Sequence, residues 1–181
     1  MKKNVSTLLI LLLIINISCK NNNKAPIKEE VKAEEVVVVP KQLSIDFNFK
    51  TNKADVFKIM MNNIQVDDLQ KKNVHIFENV APSSTLDKIM ATFGEDEMSK
   101  NIAIHLGNQE IKEVEISSIE VSYGDNLLSI KTPQDIDKYI VFNKFIQKDP
   151  ASNVLKTIKI SGQHNPVFSF KHNLINFLTK E

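Results

Sequence analysis

The sequence predicts an all-β protein, an antiparallel β-sandwich with at most one or two short helices. Apolar and polar residues alternate with a period of two, most clearly from Leu43 to Lys50. Turn residues such as Gly107-Asn108 and Gly124-Asp125-Asn126 separate these alternating runs. Strong helical patterns are few over the same region. Many short strands between turns are typical of a sandwich or barrel.

The first predicted strand is Leu43 to Lys50, in which every second residue is apolar and predicted to face the core. The next predicted elements are a second apolar run from Val56 to Met61, ended by Asn62-Asn63, and a third strand marked by Val74, Ile76 and Val80. Pro82 ends that third strand because proline lacks the amide donor that a sheet needs.

Ser83 to Gly94 fits two structures. The residues Leu86, Ile89, Met90 and Phe93 would share one face of a helix that ends at Gly94. Alternatively, a loop precedes a strand over Lys88 to Phe93. Asn101 to Leu106 alternates again after the turn Glu95-Asp96-Glu97, so we favour two strands joined as a hairpin.

The second half of the chain continues the alternation. Val114 to Val121 predicts a long strand. The apolar residues change from even to odd positions at Ser117-Ser118, which indicates a β-bulge. Thr132 and Pro133 predict the N-cap and first residue of a short helix. The other predicted elements are strands over Leu127 to Lys131, Val154 to Ser161 and Val167 to Lys171, and a last strand or helix over Asn173 to Lys180.

The N-terminal residues resemble a lipoprotein signal. Two lysines precede an apolar stretch, Val5 to Ser18, that is shorter than the roughly 20 residues needed to span a bilayer. The stretch ends in Asn16-Ile17-Ser18-Cys19, which resembles a bacterial lipobox except that Asn16 stands where an aliphatic residue is usual. The resemblance implies cleavage between Ser18 and Cys19, and lipid on Cys19.

Such an acylated cysteine would hold the protein permanently in membrane lipid, because two acyl signals already give stable anchoring. We therefore expect a cell-envelope protein in the outer membrane of a Gram-negative bacterium. Residues 19–42 are polar, carry both charges and lack aromatics, which predicts a flexible linker. Val36 to Val39 would suit an added edge strand, but Pro40 follows, so we favour extended linker. One domain, residues 43–181, is expected to follow.

Composition excludes several classes of protein. The 181-residue chain has a formal net charge of +1, which excludes nucleic-acid binding by gross charge. The chain has no arginine, so all 23 of its Lys and Arg residues are lysine, which excludes bidentate guanidinium recognition of phosphate. The single cysteine would be consumed by lipid, so no disulfide is expected.

The order of the central elements resembles a known family. Asn101-Ile-Ala-Ile-His-Leu-Gly-Asn108 followed by Val114 to Val121 resembles the galactose-binding-like jelly rolls found beside carbohydrate-active enzymes and on bacterial surfaces. Gly162-Gln-His-Asn-Pro-Val-Phe168 is similar to the turn before one of their strands, with Asn165 in place of a common Asp. The resemblance implies a jelly-roll-like sandwich, and it does not by itself imply sugar binding.

No sequence motif predicts catalysis, a cofactor or a metal. The chain has no Gly-x-Ser-x-Gly elbow and no glycine-rich phosphate loop, and its histidines lack zinc-site spacing. The acidic groups Asp67-Asp68 and Glu95-Asp96-Glu97 are predicted to be solvated turns rather than a calcium site. His75 and His105 are predicted to be packed or surface residues of strands. We therefore expect a protein that is not an enzyme.

Any ligand is expected on two turns whose side chains offer hydrogen-bond donors and acceptors. The predicted contacts are Tyr123, Asp125, Asn126, His164 and Asn165. Weak glycan binding, or an accessory role in glycan handling, is the first expectation, although the chain has no Trp to stack on a sugar. The alternative is a structural or assembly lipoprotein that binds another envelope protein through a sheet face or edge. A contiguous exposed apolar patch would favour that alternative.

Overall fold

The computed structural model describes residues 41–180, so the predicted signal peptide, Cys19 and the linker up to residue 40 lie outside the described residues. The described part contains β1 (Gln42–Thr51), β2 (Asp55–Gln65), β3 (Lys71–Val80), β4 (Asp87–Glu95), β5 (Asn101–His105), β6 (Glu113–Tyr123), β7 (Asn126–Ile130), α1 (Pro133–Tyr139), β8 (Ile140–Phe142), β9 (Ile146–Lys148), β10 (Val154–Thr157), β11 (Val167–Phe170) and α2 (His172–Leu178). None of the helices in this range is long and apolar enough to cross a membrane.

The strands form two antiparallel sheets, which confirms the predicted all-β sandwich. Sheet A has the order β4-β1-β6-β10-β9. Strand β10 pairs with the N-terminal part of β6, and β7 pairs with its C-terminal part. Sheet B has the order β3-β2-β5-β11-β8. The two short helices follow β7 and β11 in the chain.

The core lies between the two sheets. In β1, the alternate residues Leu43, Ile45, Phe47 and Phe49 are fully buried. The Phe47 ring lies 6.5 Å from the Phe57 ring of β2 and 6.0 Å from the Phe168 ring of β11, measured between centroids. One residue of sheet A therefore contacts two strands of sheet B, which fixes the sheets face to face.

The ambiguous segment Ser83 to Gly94 contains a strand, β4. Ile89, Ala91 and Phe93 face the core, whereas Met90 is exposed. A helix would have buried Met90 beside Ile89, so the burial pattern follows a period of two.

The predicted hairpin between the two strands around Glu95-Asp96-Glu97 is wrong. Strand β4 pairs with β1 in sheet A, and strand β5 pairs with β2 in sheet B. The connecting residues cross from one sheet to the other, and the Ser99 hydroxyl donates to the carbonyl of Asn62 in β2. Local alternation predicts a strand, but it does not specify which sheet the strand joins.

Three local predictions in the second half are confirmed or resolved. The β1–β6 register shifts between Ser118 and Ile116, so Ser117 is the extra residue of a bulge. Thr132 accepts from the Asp135 amide while the Asp135 carboxylate accepts from the Thr132 amide, which is a capping box at the start of α1. The last element, for which the sequence permits either a strand or a helix, is the helix α2.

Candidate functional site

In the first predicted ligand turn, between β6 and β7, two of the three predicted residues make contacts within the folded domain. Tyr123 is half-buried against the core, and burial together with the nearby Asp96 carboxylate raises the pKa of its phenol. The Asn126 side chain donates to the carbonyls of Leu178 and Lys180 and so ties the end of α2 to the turn. Of the three residues predicted here, only Asp125 is exposed.

In the second predicted turn, the side chain of His164 is buried. His164 is only 9% exposed, and neither ring nitrogen has a hydrogen-bond partner among residues 41–180. Asn165 is exposed, and its backbone carbonyl accepts from the Asn143 side chain. The turn therefore displays Asn165 rather than His164.

The two turns lie at opposite ends of the strands. Strand β1 runs from Leu43, opposite Tyr123, to Thr51, opposite Val114. Strand β2 then begins at Asp55, so the sandwich has a Tyr123 end and an Asp55 end. Asn165 belongs to the Asp55 end because Val167, two residues later, pairs with His105, which pairs with Lys58 near the start of β2. The five predicted residues therefore form two separate groups, and no single small ligand contacts both.

A buried ion pair closes the Asp55 end. The Lys112 ammonium lies 2.6 Å from Asp55 Oδ2, and both side chains are almost completely buried. The ammonium also donates to the Leu106 carbonyl, and the carboxylate accepts from the amides of Val56 and Gln109. This set of hydrogen bonds satisfies both charges, as a buried pair requires.

Two titratable groups at this end have shifted pKa values. Burial alone would raise the pKa of Asp55, but the hydrogen bond from Lys112 and the amides of Val56 and Gln109 outweigh burial and lower it. Burial, reinforced by the Lys58 charge, lowers the pKa of His105 despite a hydrogen bond with Asn165. The carboxylate and the neutral imidazole are therefore the favoured forms in the folded protein.

Of the acidic groups weighed as a cation site, Asp67 lies in a bend after β2 and Asp96 in a turn after β4. The Asp67 carboxylate accepts from the amides of Leu69 and Gln70, and Asp96 accepts from the Lys41 amide. Glu97 pairs with Lys72 of β3. The described residues contain no cluster of three or more side chains suited to a metal ion.

Two clefts indent the Asp55 end beside sheet A. One, of about 220 Å³, is lined by Lys50, Thr51, Asn52, Ser83, Glu113, Glu115 and Val154. The other, of about 340 Å³, is lined by Asn52, Ile111, Lys112, Glu113, Gln147, Lys156, Thr157 and Ile158. None of these residues is aromatic, so neither cleft offers a ring on which a sugar would stack.

The outer faces of the two sheets differ in charge. On sheet A, four carboxylates of the strands lie within 3.5 Å of a lysine, which gives this face a set of weak surface ion pairs. These pairs are Asp46 with Lys88, Glu113 with Lys156, Glu115 with Lys50 and Glu120 with Lys131.

Sheet B presents a largely uncharged outer face. One row of directly opposed residues crosses all five strands: Val141, Ser169, Ala103, Met60 and His75. The neighbouring row is Val167, His105, Lys58 and Phe77. Phe77 is 62% exposed and Val141 is 50% exposed, so the apolar side chains reach solvent at both margins. The residues at the centre of this surface, which we call the sheet B face, include the small Ala103 and Ser169.

Comparisons with known proteins return no relatives: no family model, no curated protein and no solved structure matches this chain.

Sequence reasoning missed both the sheet B face and the buried ion pair. The one available signal was Val56 to Met61, which is apolar at both parities except for Lys58. A strand that is apolar on both faces is usually covered on both sides. The outward residues of the other strands do not form an apolar run in any one strand: β8 contributes only Val141, and β11 only Val167 and Ser169, so no local pattern identifies the face.

Proposed function

We propose that this chain is a lipid-anchored, non-catalytic protein of the bacterial cell envelope that binds another envelope protein through the sheet B face. The observation that carries the proposal is the difference between the two outer faces. Sheet A carries four lysine–carboxylate pairs beside the exposed Met90 and Leu127, whereas sheet B carries Met60, Phe77, Val141 and Val167, with Lys58 as the charged residue among them. An exposed apolar surface of this kind is typical of a protein-interaction site.

The anchoring part of the proposal rests on the N-terminal sequence. The order of two lysines, an apolar stretch and Ser18-Cys19 supports removal of residues 1–18 and acylation of Cys19. The jelly-roll likeness to galactose-binding-like modules of bacterial surfaces is compatible with the same location.

The charges on the sheet B face indicate the chemistry of the partner. Its outward residues include Lys58 and, at the margin, Lys71, but no carboxylate. A complementary surface would carry apolar side chains at its centre and one or two carboxylates near Lys58.

The test uses a photoreactive amino acid placed in the full chain. One variant carries it at Val141 on the sheet B face, and the matched control carries it at Met90, which is 64% exposed on the outer face of sheet A. We expect irradiation of envelopes to join position 141 to one discrete protein and to leave position 90 unjoined. Equal cross-linking at both positions would contradict the proposal.

Glycan binding is the second candidate, and the surroundings of Phe77 favour it. The exposed Phe77 ring lies beside His75 and Lys58, and the His75 ring hydrogen-bonds Asn62. A ring flanked by polar groups is a common contact for a pyranose.

A glycan array with the protein displayed in many copies tests this candidate, because multivalency compensates for weak single contacts. Binding that is lost in Phe77→Ser would place a sugar on sheet B. Binding that is lost in Tyr123→Ala or His164→Ala would restore the turn site predicted from sequence. No bound glycan would leave the protein partner as the function.

A further inference from the structure

Within residues 41–180, strand β3 is an edge strand of sheet B. It pairs with β2 on one side, and no other strand in residues 41–180 pairs with its second side. Seven of its ten residues are exposed. A long edge strand with free amides and carbonyls is a template for another strand.

The two charges on the inner row of β3 lie symmetrically about its centre. Lys72 is opposite the buried Ile64 of β2, and Glu78 is opposite the buried Phe57, so both belong to the row that faces the core. His75 stands midway between them. Val74 and Ile76, between the charges, are half-buried. Charges in such positions discourage pairing with an unmatched strand.

We propose that the β3 edge pairs antiparallel with the β3 edge of a second copy of this chain, with His75 opposite His75. In this register, Lys72 of each copy faces Glu78 of the other, and Val74 faces Ile76. The inner row then holds an apolar centre between two opposite-charge pairs, and opposed pairs of both kinds stabilise antiparallel strands. Lys72 and Glu78 therefore disfavour pairing with an unrelated strand, but each lies opposite a residue of opposite charge when the partner is a second copy of this chain.

The paired copies would share a sheet of ten strands, with their sheet B faces side by side. Acylation at Cys19 would favour this pairing because two copies held on one membrane meet at a high effective concentration. The pairing does not depend on what the sheet B face binds.

Single cysteines test the register in the full chain carrying Cys19→Ala, which has no other cysteine. Residue 75 would lie opposite itself, with Cα atoms about 4.5–5.5 Å apart, within disulfide range. Residue 77 would lie four positions from its copy, about 13 Å away and out of range. We therefore expect His75→Cys to give at least about ten-fold more disulfide-linked dimer than Phe77→Cys under mild oxidation.

Equal yields at the two positions would mean random collision and would overturn the proposal. A higher yield at position 77 would mean a different register, in which Lys72 and Glu78 do not match. No dimer at either position would mean that the edge is covered by another strand or stays single, as it would if the charges served only to prevent pairing.

A charge swap tests the matched ends independently. All chains carry His75→Cys and Glu97→Gln, so the contact between Lys72 and Glu97 is removed from every comparison. Glu78→Lys should lower the dimer yield about five-fold because Lys72 then faces lysine, and Lys72→Glu together with Glu78→Lys should restore it. The control Glu110→Lys, in an exposed loop, should change nothing. A double variant as weak as the single one would overturn the register.

Discussion

At the residue scale, the Asp55 end depends on the buried pair of Lys112 and Asp55. The pair joins the start of β2 to the segment before β6, and the Lys112 amide and carbonyl also bond Thr157 at the end of β10. Both sheets therefore meet at one lysine. The pair fixes the geometry of this end more than it raises stability, because desolvation offsets much of the attraction between buried charges.

Lys112→Met should lower the free energy of unfolding by about 3–5 kcal/mol, because it leaves the Asp55 carboxylate buried without its cation. The matched control is Lys156→Met, which removes the exposed pair with Glu113 and should cost less than about 1 kcal/mol. Urea unfolding followed by circular dichroism measures both variants. Equal losses would show that the buried pair has no special role.

The pKa of His105 predicts a stability change in mild acid. The unfolded chain takes up a proton at this residue near pH 6.5, whereas the folded protein, with its lowered pKa, does so only at lower pH. Between these two values the unfolded state binds more protons, so stability falls as the pH falls. Urea midpoints measured from pH 7.5 to 5 should decline less in His105→Gln than in the parent. An unchanged decline would assign the effect to other groups.

At the element scale, the sequence predicts best those features that depend only on neighbouring residues of one strand. The alternation of β1 and the bulge at Ser117 were both predicted because each depends on neighbours in sequence. The β4–β5 hairpin failed because the choice of sheet depends on distant partners. The burial of Lys112 was invisible for the same reason: in Gln109-Glu110-Ile111-Lys112-Glu113 it resembles any surface lysine. The sheet B face is formed by residues of five strands, so the sequence of any one strand does not predict it.

The loop between β5 and β6 requires glycine at position 107. Gly107 has φ +74°, and a Cβ there would lie 2.1 Å from the Asp55 carboxyl carbon. Gly162 has a similar φ of +78°, but a Cβ there would meet nothing within 4 Å. Gly162→Ala should cost about 1 kcal/mol from backbone strain alone, and Gly107→Ala should cost at least about 2 kcal/mol more because it also displaces Asp55. Similar unfolding midpoints for the two variants would contradict this account of the loop.

At the scale of the whole molecule, the proposed function requires a lipid anchor on Cys19 as well as the sheet B face. Cys19→Ala should abolish incorporation of radiolabelled palmitate and leave a precursor that retains residues 1–18. Ser44→Ala, on the polar face of sheet A, is a control that should be processed normally. A mature parent protein that begins elsewhere and carries no acyl mass would contradict the anchoring.

If the sheet B face binds a partner, it is less accessible to solvent in the cell than in the purified protein. Val141→Cys and Met90→Cys place one thiol on each outer face, and peptide mass spectrometry quantifies labelling by a membrane-permeant maleimide at each site. We expect position 141 to react several-fold more slowly in intact envelopes than in the purified protein, because a partner covers it, and position 90 to react equally in both. Equal reactivity of position 141 in envelopes and in purified protein would mean that nothing occupies this face.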